Sequence, residues 1–235
     1  NMSFSGKIKA SMVLLLAVSS VAFAAKGTSG KVIDKLGDAK LQKSTKIGVW
    51  DEINVGNRVR EKDQIRTGIE SHVAITLSDG SSIVVQENSL VEFTTLQAED
   101  GIQTALTDIK TGKVRFDAQK QHSGGSFKFK TATATAAIRG TDGTIGVTNG
   151  GQSFGSLNSG EMVMEQDGQE VAVHAQQFVA FRKGKPPVVV EAKNAGDPDF
   201  AKKISEAVDD TTKSVEDIQK QAKEIDETIE KRNED

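Results

Sequence analysis

The sequence predicts a mainly β protein: a short-stranded domain, either β-solenoid-like or a sandwich, followed by one long C-terminal α-helix. Three observations predict this fold class. Short apolar runs alternate with polar or small residues from about residue 30 to residue 186. Glycine-containing turns separate these runs at intervals of about ten residues. Residues 199–235 contain neither glycine nor proline, and their apolar residues recur at helical spacing.

The composition limits the chemistry that the chain can perform. It has 235 residues, a formal net charge of −3, only 5% aromatic residues and no tyrosine. A core built from Val, Ile, Leu and Ala suits a thin, repetitive β structure. Cysteine is absent, which excludes disulfides, thiolate metal ligands and a cysteine nucleophile.

The first residues have the pattern of an export signal. Lys7 and Lys9 precede an uncharged, mostly apolar run, Ala10–Val21, and small residues stand at 22 and 24. The run is shorter than the about 20 residues that span a bilayer. A buried helix or an uncleaved anchor is the alternative. We expect cleavage before Ala25, a periplasmic or secreted bacterial protein, and no membrane span after cleavage.

The clearest β pattern lies between residues 65 and 93. Val73, Ile75 and Leu77 fall on one face of a strand, with Ala74 and Thr76 on the other. Other turns are predicted at dipeptides that contain glycine: Asp79-Gly80, Asp100-Gly101, Asp142-Gly143, Asn149-Gly150, Asp167-Gly168 and Lys183-Gly184. Further strands are predicted at alternating runs: Val114–Phe116, Phe127–Phe129, Ile145–Val147, Met162–Met164, Val171–Val173 and Phe178–Phe181.

The strand pattern alone leaves the architecture open. Short strands with evenly spaced turns fit a solenoid, in which each rung stacks on the next, and they also fit a sandwich or small barrel. The segment Leu77–Val85 resembles Met164–Val173, which suggests a repeated hairpin or rung. Trp50, the single tryptophan, is expected to anchor the first rung, with exposure at a partner surface as the alternative.

Four segments in order resemble the FecR domain family. Residues 56–68 and 77–81 are similar to the opening half of that domain. Ile138-Arg139-Gly140-Thr141 resembles its Arg-Gly-Thr element, and residues 157–163 resemble its repeat of strand, Gly-Glu and strand. The resemblance covers roughly Gly30–Lys185. It implies an extracytoplasmic, often solenoid-like β domain, found in iron-uptake sigma regulators and in free-standing envelope proteins.

One departure from the family pattern bears on function. The resemblance implies that regulators of the FecR family carry a cytoplasmic anti-sigma segment and a membrane span before this domain. In this sequence only the short predicted export signal precedes it. This departure argues against direct control of a sigma factor and favours a free-standing, exported FecR-like protein. The predicted organisation is a signal peptide (1–24), a FecR-like β domain (25–190), a linker (191–196) and a C-terminal helix (197–235).

Asp197-Pro198 has the residues of a helix start, an N-cap followed by proline in the first turn. The helix has a narrow apolar seam of the coiled-coil type, over about four heptads. The seam is a predicted binding site for another envelope protein or a second copy, and a helix lying on its own β domain is the alternative. Its residues are Ile204, Val208, Val215, Ile218, Ala222, Ile225 and Ile229. Residues 197–235 carry a net charge of −6, which argues against nucleic-acid or anionic-membrane partners.

The remaining candidates for chemistry favour structural roles. Arg139 is a possible loop contact for a partner carboxylate; the alternative is that Gly140 permits a bend while Arg139 satisfies nearby carbonyls or an acid. His72, His122 and His174 lie far apart in sequence and without metal-ligand spacing. No cofactor, metal or catalytic cluster is predicted, so an enzyme is not expected. The first hypothesis is a non-catalytic structural or binding module of the cell envelope. The alternative is an extracytoplasmic sensor that acts on a membrane regulator.

Overall fold

The computed structural model describes residues 29–99, 102–120, 125–148 and 150–191, which are mainly β. The mainly β prediction is confirmed. The described residues include no helix, and hence none long and apolar enough to cross a membrane. The predicted signal peptide (1–24) and C-terminal helix (197–235) lie outside the described residues, as does the predicted linker apart from Glu191.

Seventeen strands make up the described fold. In chain order they are β1 (Gly30–Leu36), β2 (Ala39–Gln42), β3 (Asp51–Glu52), β4 (Arg58–Val59), β5 (Gln64–Thr67), β6 (His72–Thr76), β7 (Ser82–Val85), β8 (Leu90–Glu99), β9 (Ile102–Asp117), β10 (Ser126–Lys130), β11 (Thr135–Ile138), β12 (Asp142–Val147), β13 (Ser153–Ser159), β14 (Glu161–Gln166), β15 (Gln169–His174), β16 (Gln177–Phe181) and β17 (Val188–Glu191).

The strands form two sheets that share β9. Sheet A has the order β4-β1-β6-β7-β9-β12-β13-β16-β17. Sheet B has the order β3-β2-β5-β8-β9-β10-β11-β14-β15. The pairings are antiparallel except for that of β9 with β10. The chain adds strands mostly in sequence order, as a solenoid does, while the antiparallel pairing is that of the sandwich alternative.

β9 passes from one sheet to the other. Its first part pairs with β8 as far as Thr111, and its last six residues, from Gly112 to Asp117, pair with β12 in sheet A. Gly112 has φ +78°, and an added Cβ would lie 2.6 Å from the Cα of Ser89. Only glycine accommodates this bend without strain. The strand has 16 residues, whereas the sequence pattern predicted short strands only.

Alternating residues of the two sheets meet in one core. Val73 and Ile75 of sheet A are fully buried, as the alternation predicted. The ring centroids of Phe116 in sheet A and Phe129 in sheet B lie 5.1 Å apart. Gly155 of sheet A faces sheet B, because an added Cβ there would lie 2.8 Å from two methionine side chains of β14. These contacts place the sheets face to face.

The predicted turns have mixed outcomes. Gly80 has φ +86° between β6 and β7, and Asp167 and Gly168 have φ +52° and +80° between β14 and β15, so both turns are confirmed. The two segments that resemble each other are therefore both hairpins. The turn predicted at Asp142-Gly143 is wrong, because both residues belong to β12 and pair with β9 and β13. The registers leave no room for a side chain at Gly143: an added Cβ would collide with the carbonyl oxygen of Ser156.

Candidate interaction surface

Exposed apolar side chains concentrate at the N-terminal end of the stack. Among the described residues, seven large hydrophobic side chains are exposed, and six of them lie between residues 33 and 69. We call these six the end surface: Ile33, Leu36, Ile47, Val49, Val55 and Ile69, each exposed by 48% or more. Single exposed apolar residues are ordinary, but several of them in one part of a fold make that part a candidate interaction site.

The closing segment 53–57 explains why Val55 points away from the core. This segment connects β3, at the edge of sheet B, with β4, at the edge of sheet A. Ile53 is fully buried and closes the core. The amide of Gly56 donates to the carbonyl of Val32 at 2.8 Å, and the amide of Val32 donates to the carbonyl of Asn57 at 2.9 Å. Val55 is thereby held exposed beside β1.

Sheet A is irregular at this end. β4 pairs only with Gly30 and Lys31 of β1, and the register of β1 with β6 shifts between Val32 and Asp34. Ile33 lies in this bulge and is exposed. Short edge strands and bulges are devices that oppose strand addition along an edge. These features oppose the addition of a further strand to this edge of sheet A.

Asp63 fixes the loop that carries Ile47 and Val49. Its side chain accepts hydrogen bonds from the amide of Ser44 at 2.8 Å and from the amide of Arg60 at 2.9 Å. The residue is only 3% exposed. The carboxylate thus joins the loop between β2 and β3 to the turn before β5, since charge-assisted bonds of this kind are strong.

Trp50 lies on the outside of sheet B beside the end surface. It is half-buried, and the guanidinium carbon of Arg66 lies 4.9 Å from the centroid of its ring. Such a cation–π contact orients the indole but leaves part of it accessible. Exposed ion pairs flank it, Lys40 with Glu52 at 3.2 Å and Lys46 with Asp51 at 3.9 Å. Trp50 therefore borders the surface instead of filling the core.

The sequence-predicted site residues are not brought together in the described structure. Arg139 is exposed on the turn between β11 and β12, where Gly140 has φ +63° as a bend requires. Within the described ranges no carbonyl or carboxylate bonds the guanidinium of Arg139, so its role as a loop contact stays a prediction. The seven seam residues from Ile204 to Ile229 lie outside the described residues.

The histidines are also separated. His72 of β6 contacts Asp34 of β1 at 2.8 Å, and this hydrogen bond lowers the pKa of the Asp34 carboxyl. His174 is exposed at the end of β15, and His122 lies outside the described residues. Across the described ranges, no three His, Cys, Asp or Glu side chains gather in a group suited to a metal ion.

A buried hydroxyl cluster is one feature that the sequence did not predict. The Ser153 hydroxyl contacts those of Thr131, at 2.5 Å, and Thr133. Thr131 also accepts from the amide of Ala134 at 3.0 Å. This cluster ties the turn between β10 and β11 to β13, and it has no titratable base among its hydrogen-bond partners. Its role is structural. The end surface was missed as well, because its residues have no periodicity: four stand singly in loops, and Ile33 and Leu36 lie in the irregular strand β1.

Comparison with known proteins finds a family similarity in the middle of this fold. Residues 63–162, from just before β5 into β14, match the family model described as FecR protein. The predicted resemblance to FecR domains is confirmed over these residues. No curated protein matches the chain.

Two solved structures are similar to part of the chain. Both are crystal structures, at 1.65 Å and 2.50 Å resolution, described as a candidate anti-sigma factor from Parabacteroides distasonis ATCC 8503. Each is 14% identical to this chain, with a TM-score of 0.47. The alignment covers 55% of this chain and 59% of the other, so it spans little more than half of either protein.

Proposed function

We propose that this chain is a non-catalytic sensory domain of the FecR type, which acts outside the cytoplasm on a membrane-bound regulator. The single observation that carries the proposal is the FecR match over residues 63–162. The FecR resemblance implies an extracytoplasmic domain of the kind used in iron-uptake sigma regulation. The export pattern of the first 24 residues supports the same location.

The end surface is the proposed contact with the regulator. Its six apolar side chains are exposed at one end of a two-sheet stack whose core is closed by Ile53. Asp63 fixes its loop by accepting two backbone hydrogen bonds. Interfaces typically combine a small apolar centre with a polar and charged rim. The ion pairs of Lys40 and Lys46 supply such a rim.

Assembly of an envelope structure is the second candidate function. The same end surface supports it, since a rigid β body with an exposed apolar end would also suit a structural partner. The FecR match is the observation that favours the sensory role, because the resemblance implies a domain of the kind found in iron-uptake sigma regulators. The identity of the contacted protein distinguishes the two.

Site-specific photocrosslinking tests both. A photoreactive amino acid is placed at Ile47, Val55 or Ile69 in the full chain, and crosslinked products in the native bacterium are identified by mass spectrometry. We expect a product that contains a membrane-spanning regulator. Products that contain only structural envelope proteins would contradict the sensory role and support the assembly role.

Ala172 is the matched control position. It is exposed on β15, at the opposite end of the stack from the end surface. The same photoreactive group there should give no product with the regulator. If the three end-surface positions crosslink no more than position 172 does, the end surface is not the contact and the proposal fails.

A further inference from the structure

A second apolar cluster lies on the face of sheet A that points away from the core. Gly155 and Val179 pair with each other and point inward, so their neighbours along β13 and β16 point outward. The outward residues that we call the outer cluster are Phe154, Ser156, Phe178, Ala180 and Val190. None of them packs into the main core.

The outer cluster is nevertheless buried. Phe178 is 0% exposed, Ala180 and Ser156 are 1% exposed, and Phe154 and Val190 are 4% and 8% exposed. The rings of Phe154 and Phe178 stack with centroids 5.9 Å apart, and the Phe154 ring also lies over Gly146 of β12. Farther along the same outer face, Ala74 and Val84 are half-buried and Arg115 is exposed. Coverage of the outer face is therefore local to β13, β16 and β17.

The chain leaves the described fold beside this cluster. β17 is the last described strand, and its Val190 belongs to the outer cluster. Five residues separate Glu191 from Asp197, where the predicted helix starts, and such a linker spans up to about 20 Å. The predicted helix carries a narrow apolar seam, and such a seam is typically buried against an apolar surface. The predicted helix thus begins within reach of the outer cluster, and both its seam and the cluster are apolar.

We propose that the seam of residues 197–235 docks on the outer cluster of its own chain. The cluster spans three adjacent strands, about 10 Å across. A helix rises 1.5 Å per residue, so about two of its turns would cover that width. Two or three neighbouring seam residues would contact Phe178 and Ala180. The seam is then occupied within one molecule and is not the surface through which copies associate. This inference does not depend on the proposed sensory function.

Disulfide trapping tests the proposal, because the native chain contains no cysteine. Ser156→Cys is combined, in the full chain, with one cysteine at each seam position in turn. We expect an intramolecular disulfide at two or three neighbouring seam positions, since a disulfide needs Cβ atoms about 4 Å apart. Lys213→Cys and Lys220→Cys, on the opposite face of the predicted helix, are matched controls and should form none. Ala180→Cys replaces Ser156→Cys if that variant does not fold.

Other outcomes overturn the proposal. Disulfide-linked dimers would mean that a second copy covers the cluster. Equal trapping at the seam and at the two lysine positions, or no trapping at any position, would mean that the seam does not dock there.

Labelling of Ser156→Cys by a maleimide supplies an independent readout. We expect Val208→Asp with Ile218→Asp to raise the labelling rate at least tenfold, and Lys213→Asp to leave it unchanged. An unchanged rate in the double variant, or a faster rate only after deletion of residues 1–24, would contradict docking of the seam.

Discussion

At the residue scale, Asp63 shows how one buried carboxylate orders an exposed surface. It accepts the amides of Ser44 and Arg60, which belong to two different loops. Neither loop contains a long run of apolar residues that would hold it against the core. The positions of Ile47 and Val49 therefore depend on a polar contact, which explains how these two side chains are kept exposed in a defined place.

Asp63→Ala should lower the free energy of unfolding by about 2 kcal/mol, because two backbone amides lose a buried acceptor. Asp63→Asn keeps one acceptor oxygen and should lose about half as much. Urea denaturation measures both. Asp51→Ala, at an exposed ion pair, is the control and should change stability by less than about 0.5 kcal/mol. Equal losses of stability for the alanine variants at positions 63 and 51 would contradict the role of Asp63 as a buried acceptor that joins the two loops.

The Asp34–His72 contact should appear in a titration. Its hydrogen bond lowers the pKa of Asp34 from 3.8. A lowered pKa in the folded state means that the stabilisation is present above pH 3.8 and is lost as the pH falls through the folded value. NMR titration of the Asp34 carboxyl should therefore show a pKa that returns toward 3.8 in the His72→Ala variant. An identical titration curve in both proteins would show that the contact does not form in solution.

Comparison of Gly112 with Gly168 separates the cost of a left-handed backbone conformation from the cost of steric overlap. Their φ angles are +78° and +80°, but an added Cβ at Gly168 meets nothing within 4 Å, whereas at Gly112 it meets the backbone of Ser89. Gly168→Ala should cost about 1 kcal/mol, the strain of the left-handed conformation. Gly112→Ala should cost about 3 kcal/mol or more, because overpacking is added. Equal losses of stability for Gly112→Ala and Gly168→Ala, measured by thermal or urea unfolding, would contradict the close approach of Gly112 in β9 to the backbone of Ser89.

At the scale of elements, β12 and β13 show how strand register decides what glycine does. The register of this pair shifts between Asp142 and Gly143. Gly143 then abuts the carbonyl of Ser156, while Gly155 faces the ends of Met162 and Met164 in sheet B. A backbone carbonyl in a paired strand cannot move aside, but a methionine side chain adapts readily. Gly143 and Gly155 thus differ in how well they tolerate an added side chain, although both face the core.

Gly143→Ala should lower the free energy of unfolding by about 2 kcal/mol or more, because β13 must shift. Gly155→Ala should cost less than about 1 kcal/mol, since the two methionines can repack. Chemical denaturation of both variants at one temperature is the measurement. A larger loss at Gly155 than at Gly143 would show that this register is wrong.

At the scale of the whole molecule, the two sheets are expected to unfold together. They share β9, and one core extends from Val32 of β1 to Phe181 of β16. Loss of either sheet would expose the apolar face of the other, so partial unfolding is unfavourable.

The fluorescence of Trp50 reports on the N-terminal end, and far-UV circular dichroism reports on all strands. We expect the two urea transitions to coincide. Phe129→Ala removes a ring from the contact between the sheets. It should lower the free energy of unfolding obtained from both transitions by the same amount, about 3 kcal/mol. A Trp50 transition at clearly lower urea would indicate that the N-terminal end unfolds separately.

The local features of the fold could be predicted from the sequence. Alternation at Val73, Ile75 and Leu77 predicted a strand face that is buried in the structure. Turn dipeptides predicted the hairpins at Gly80 and Gly168. The FecR resemblance was also found from ordered motifs and is confirmed over residues 63–162. Each of these signals lies within a few neighbouring residues, where side-chain period and backbone freedom act directly.

By itself, the sequence determined that the chain is mainly β, where many strands and turns occur, and which family it resembles. Only the tertiary structure decided that β9 serves both sheets, that Asp142-Gly143 belongs to a strand, and that Phe154 and Phe178 are buried outside the core. It also placed the end surface at one end of the stack. The physical reason is that pairing and burial depend on residues far apart in the chain, whereas alternation and turn chemistry depend only on near neighbours.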